Sequence, residues 1–178
     1  VNVVRTEIAG VLVFEPQVYA DDRGSLFESF NAAAFSAAVG EPVTFVQDNQ
    51  SASRRHVLRG LHWQDPRQQG KLVRAVRGRI FDVAADIRPG SATFGRWVGV
   101  ELTAANRRQL WIPPGLAHGF LALEDAEVLY KATDFYAPEH QHCIAWDDPT
   151  LAIAWPLTAP PILSPRDAEG DRLGAARR

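Results

Sequence analysis

The chain has 178 residues, 19 of them Lys or Arg and 21 Asp or Glu, for a formal net charge of −2. That length suits one domain, 1–178, with a real core, and the charge balance excludes a nucleic-acid binder or a polybasic membrane module. A single cysteine, Cys143, makes an internal disulfide impossible, and no Cys/His spacing matches a zinc motif. No apolar run reaches the roughly 20 residues a bilayer span needs, and no apolar signal core opens the sequence, so a soluble cytoplasmic protein is expected.

In chain order, the first expected element is a helix from Asn31 to Val39, with Asn31 as N-cap, Phe35 facing inward and Gly40 past its end. Lys71 to Val76 and Arg79 to Ile87 follow as two strands broken at Gly78, which resembles a hairpin. In Trp97 to Thr103, Val98, Val100 and Leu102 share one face, as in a strand with one buried side. Gln109 to Ile112 and Val128 to Tyr136 are two further strands. Between them Pro113-Pro114-Gly115 cannot lie inside a central strand, because neither proline donates to a ladder. A second short helix is expected near Arg166 to Leu173, and Gly174 to Arg178 are expected to fray. Twenty-five Gly and Pro residues, spread evenly, suit many short strands and tight turns. The expectation is an all-β sandwich or barrel with short peripheral helices.

Polar residues crowd into short windows of this sheet-like sequence. They are Asp22 to Glu28, Gln47 to Ser51, Leu58 to Gln64, Gln69 to Lys71, Ala117 to Phe120 and Tyr130-Lys131. Each alone is a surface turn or a satisfied core histidine. Together they place Arg, His, Lys and Tyr on strands of one β-domain, whose interior should be apolar unless it holds a ligand. His62 has the intrinsic pKa of a base near neutrality, Tyr130 is an acid of higher pKa, and Lys71 can oppose an oxyanion. That trio suits proton abstraction beside a carbonyl, and Arg23 and Arg59 could grip a diphosphate. A metal centre is the competitor. His62 is followed by Trp63 and Gln64, so the paired histidine of metal-binding cupins is missing, while His140 and His142 stand in a polar stretch expected at the surface.

At these windows the sequence resembles the dTDP-4-dehydrorhamnose 3,5-epimerase family. The matching text includes Asp22-Arg23-Gly24, Phe27-Glu28, Phe45 to Asn49, Leu58-Arg59-Gly60-Leu61-His62, Lys71-Leu72-Val73, Phe81-Asp82-Val83, Thr93-Phe94-Gly95, Gly115 to Phe120, Tyr130-Lys131 and Trp155-Pro156. The resemblance implies a cupin-type jelly-roll barrel, a homodimer, a dTDP-4-keto-6-deoxyhexose substrate, and neither metal nor organic cofactor. It implies His62 as base, Asp167 as the carboxylate that orients it, Tyr130 as acid and Lys71 as the enolate-stabilising cation. It implies substrate contacts by Arg23, Phe27, Glu28, Gln47, Asp48, Asn49, Arg59 and His118, with Tyr136 as stacking partner for thymine. Gln141 and Arg166 stand where the family often has Glu and Lys, which alters two further contacts, and His56 replaces a usual small residue. A single-centre epimerase or a ketoisomerase of an antibiotic-sugar pathway, a metal-dependent cupin oxygenase and a non-catalytic sugar-nucleotide binder are the rival readings.

Overall fold

A computed structural model describes residues 1–174. The expected fraying of Gly174 to Arg178 falls, apart from Gly174, outside the described residues. In chain order the elements are β1 (Asn2–Arg5), β2 (Leu12–Glu15), β3 (Val18–Asp21), β4 (Gly24–Phe27), α1 (Ala32–Val39), β5 (Gln47–Ser53), β6 (Leu58–Gln64) and β7 (Lys71–Arg77). They continue with β8 (Arg79–Asp86), β9 (Trp97–Thr103), β10 (Gln109–Ile112), β11 (Leu116–Ala122), β12 (Ala126–Ala132), β13 (Gln141–Cys143) and α2 (Pro165–Ala168). A six-stranded sheet, β1-β2-β10-β7-β12-β5, faces a five-stranded sheet, β13-β6-β11-β8-β9, and all their pairings are antiparallel. The fold is an all-β cupin-type jelly roll with short peripheral helices. Among the described residues, no helix is long and apolar enough to cross a membrane.

Strand alternation builds three apolar layers. Val13, Val73, Leu110 and Val128 from one sheet meet Ile80, Ala84, Leu102 and Phe120 from the other, closing the sandwich interior. On the outer face of the six-stranded sheet, Leu12, Phe14, Leu72 and Trp111 receive Phe35 of α1, whose ring stacks on Phe14 with centroids 5.1 Å apart. The helix has the expected caps: the Asn31 side chain accepts from the Ala34 N–H, and Gly40 adopts φ 96°. On the outer face of the five-stranded sheet, Ile144, Leu151 and Trp155 cover Leu61, Trp63 and Leu121. That C-terminal covering segment carries α2 back to β6, and so delivers Asp167 to the barrel.

Three expected elements differ. β7 and β8 are no hairpin: β7 pairs with β10 and β12, β8 with β9 and β11, in opposite sheets. Gly78 alone links them, with φ 68°, and a Cβ there would stand 2.1 Å from the Asp125 carbonyl oxygen. One residue is too short for a hairpin loop but turns a corner between sheets. The strand expected from Val128 to Tyr136 begins at Ala126 and stops at Ala132, where Thr133 Oγ1 accepts from the Gly70 N–H and Asp134 pairs with Arg67 instead. The helix expected near Arg166 to Leu173 is a single turn, Pro165–Ala168, capped by Ser164. Beyond it Gly170 packs against the Ala145 backbone, and the Asp171 N–H donates to the Cys143 carbonyl. The chain there bridges to Ile144 in parallel rather than coiling on.

Candidate active site

One end of the sandwich is open, as a cleft of about 210 Å³. Ser51 of β5, Lys71 of β7 and Tyr130 of β12 line the wall from the six-stranded sheet. Arg59 and His62 of β6, with His118 and Phe120 of β11, line the wall from the five-stranded sheet, while Gln69, Tyr136 and Gln141 complete the lining. Strict alternation would put Arg59 and His62 on opposite faces. A bulge prevents it: His62 pairs with His118 and Arg59 with Phe120, so three steps on β6 match two on β11. Gly60 supplies the extra residue at φ 113°, and a Cβ there would meet Gly119 Cα and the His118 carbonyl oxygen, both at 2.6 Å. Arg-Gly-Leu-His at 59–62 thus encodes a backbone geometry that brings a cation and an imidazole to one cleft.

His62 Nε2 lies 2.5 Å from Asp167 Oδ1, and Asp167 is 4% exposed. Burial pushes the Asp167 carboxyl up, but hydrogen bonds from His62, Ser164 and the Gly60 backbone outweigh it and hold the group below its ordinary range. The ionised carboxylate fixes the ring proton on Nε2 and leaves Nδ1 as the basic nitrogen. A second dyad stands beside the first, His118 Nε2 lying 2.7 Å from Oδ1 of fully buried Asp82. Lys71 is pushed down to about 8 by desolvation, against the pull of Asp82. Its ammonium lies 6.0 Å from the Tyr130 ring centroid. The Tyr130 phenol is raised by burial and by nearby Tyr136, with Arg59 pulling the other way. The phenol therefore stays protonated at neutral pH and is able to donate.

At the rim, Tyr136 donates its hydroxyl to Gln141 Oε1 over 2.9 Å, and Arg166 donates to the same oxygen and to the Gln141 carbonyl. Gln47 Oε1 accepts from the Tyr136 N–H, and its amide donates to Asn49 Oδ1, so both brace the rim from behind. Asp48 lies on the other face of β5, ion-paired with Lys131 at 3.1 Å, because neighbouring strand residues point oppositely. Arg23, Phe27 and Glu28 are not brought to this cleft. Arg23 pairs with Asp21, Phe27 lies under the Arg107 guanidinium, and Glu28 accepts from Asn31. His142, expected at the surface, is half-buried and stacks on Trp63 at 4.6 Å. Sequence reasoning missed Asp82, although a carboxylate within Ile80-Phe81-Asp82-Val83-Ala84 signals a buried charge in need of a partner. It also missed Cys143, whose thiol points at Asp167 Oδ1 over 3.8 Å and is pushed up to about 12, by burial first and then by that carboxylate.

Titratable side chains gathered in the open mouth of a two-sheet barrel define an acid–base isomerase of the jelly-roll class. The sequence profile of the family described as dTDP-4-dehydrorhamnose 3,5-epimerase matches residues 5–174. A Pseudomonas aeruginosa relative of that name is 58% identical over 173 residues, which cover 97% of this chain and 96% of the relative. A Legionella pneumophila epimerase, solved with dTDP-4-keto-L-rhamnose, superposes with TM-score 0.95 at 49% identity, covering 97% of this chain and 93% of that one. A 3′-monoepimerase from Streptomyces bikiniensis, solved with dTDP-quinovose, superposes with TM-score 0.92 at 38% identity over 97% of this chain and 88% of that one. The chain belongs to the dTDP-4-dehydrorhamnose 3,5-epimerase family.

Proposed function

We propose that the protein converts dTDP-4-dehydro-6-deoxy-D-glucose to dTDP-4-dehydro-L-rhamnose by inverting C3 and C5. The observation that carries this reading is the placement of His62 and Tyr130 on opposite walls of one cleft, one from each sheet. The substrate's 4-keto group acidifies the hydrogens on C3 and C5, so the chemistry calls for no cofactor. His62 Nδ1 takes a proton from one face, and charge moves onto the carbonyl oxygen as an enolate. Lys71 opposes that charge in a cleft where a preorganised cation is worth far more than in water. Tyr130 returns a proton from the other face, and the centre inverts. Asp167 stabilises the imidazolium that forms.

Asp82 serves the same end indirectly. It orients His118, and its charge favours the protonated form of Lys71. Arg59 is the cation available for the diphosphate, Tyr136 the aromatic face for thymine, and Gln141 and Arg166 hold that ring in place. The β3–β4 hairpin belongs to neither large sheet and exposes Tyr19 and Leu26. We infer a homodimer in which this hairpin carries Arg23, Phe27 and Glu28 toward a second copy. A nucleotide-activated sugar as substrate suits a cytoplasmic setting. The test is His62→Asn, which is expected to abolish both epimerisation and solvent-deuterium exchange at C3 and C5. Exchange persisting near the wild-type rate would assign the base to another group.

A further inference from the structure

Cys143 takes no part in the proposed chemistry, yet it sits against the base. In the antiparallel pair of β13 with β6, Cys143 is the direct partner of His62, so the two side chains stand side by side. The single turn of α2 brings Asp167 onto them from a third element. One ring nitrogen of His62, the Cys143 sulfur and an Asp167 oxygen all lie within 4.8 Å of one another. Hydrogen bonds fix the backbone of two of the donors: the Asp167 N–H donates to Ser164 Oγ, and the Asp171 N–H donates to the Cys143 carbonyl.

We propose that His62, Cys143 and Asp167 bind a thiophilic divalent cation, zinc above all, and that its binding switches the enzyme off. The inhibitory half rests on the reading of His62 as base. Nitrogen, sulfur and oxygen donors form the mixed set that tetrahedral zinc accepts, at bonds of about 2.0–2.3 Å, which puts donors about 3.4 Å apart. The sulfur and Oδ1 are already 3.8 Å apart, and the 2.5 Å Nε2 to Oδ1 contact has to open by about 1 Å. The soft thiolate selects against magnesium and calcium. Thiolate and carboxylate together neutralise the dication, which a site this buried requires. Of the three donors only His62 lines the cleft, 26% exposed at its side chain, so its ring is the side from which a cation reaches the set.

The proton balance explains the inhibition. The thiol proton leaves to solvent. With the Nε2 lone pair on the metal, the one proton of neutral imidazole moves to Nδ1. That is the nitrogen which otherwise accepts the substrate's proton, and it no longer has a free pair. The cation therefore replaces the two protons of the buried cluster and leaves the ring unable to act as base.

The test uses two readouts. Cobalt(II) chloride titrated into the wild-type protein without substrate is expected to give a thiolate-to-cobalt charge-transfer band, absent in Cys143→Ala and in Cys143→Ser. Zinc chloride is expected to inhibit wild-type turnover reversibly with EDTA, and magnesium chloride to do nothing. Each cysteine variant, referred to its own metal-free rate, should need at least about tenfold more zinc. Two variants guard against one that fails to fold. No band in the wild type, or a band unchanged in the folded variants, overturns the site. A band lost with Cys143 but no zinc inhibition overturns the inhibitory role. Because cobalt binding is read without substrate, a failure of the epimerase assignment would not be mistaken for a failure of the site.

Discussion

Asp167→Asn changes one atom in a side chain that is 4% exposed and has no surface in the cleft. The loss begins with charge. A hydrogen bond to a charged group contributes about 1.5–3 kcal/mol and a neutral one about 0.5–1.5, so the imidazolium loses about 1–2 kcal/mol of support, roughly 5- to 30-fold in rate. The tautomer adds to it. The carboxylate collects donors from His62, Ser164 and the Gly60 backbone, and an amide puts its own NH₂ among them. A backbone N–H cannot reverse its role, whereas imidazole can, so Nε2 turns acceptor and the ring proton moves to Nδ1. A base with the wrong tautomer costs up to about 10⁴-fold. The expectation is a fall in kcat of between these bounds with KM little changed. Solvent-deuterium exchange at C3 and C5 followed by NMR measures it, with a circular-dichroism spectrum to show the fold intact. A folded Asp167→Asn protein exchanging within twofold of the wild type would refute the dyad.

Two further predictions follow from the opposite wall of the cleft. Tyr130→Phe keeps the ring and removes the donor, so exchange at C5 should continue while inversion there falls by about 10²–10⁴. Inversion at the wild-type rate in the folded variant would remove Tyr130 from the role of acid. Lys71 works only when protonated, and burial pushes it down to about 8, so kcat/KM should decline as pH rises through that value. Lys71→Arg, whose charge does not titrate there, should move the decline to higher pH, even with a lower maximum. A descending limb unmoved by the substitution would belong to another group.

Much of the fold was legible where local chemistry decides it. The Asn31 cap, the inward Phe35 and Gly40 define α1 without help from the rest of the chain. The alternation of Val98, Val100 and Leu102 matches β9, although only Leu102 is fully buried while the other two pack at the core's margin. What stayed hidden was decided by partners far away in sequence. Nothing local distinguishes the corner at Gly78 from a turn, since the difference lies in which strands β7 and β8 pair with. The candidate site divides the same way. His62, Lys71, His118 and Tyr130 stand out as polar residues in strand-like text, and alternation places them inside. The face of Asp48, opposite to Gln47 and Asn49, could have been read from the two-residue period alone. The bulge at Gly60 could not, because it exists only against Gly119 of β11. Nor could the company Cys143 keeps, since β13 pairing and the α2 turn both have to form before its thiol meets His62 and Asp167.

In the proposed reaction one cleft exchanges two carbon-bound protons of a keto sugar with inversion. The direct measurement is a single NMR time course of the wild-type protein with dTDP-4-dehydro-6-deoxy-D-glucose in deuterated water. The expected result is deuterium at both C3 and C5 and the L-rhamno configuration in the product. Label at C3 alone would make the protein a single-centre epimerase, and an unlabelled, unchanged sugar would contradict the assignment of this cleft altogether.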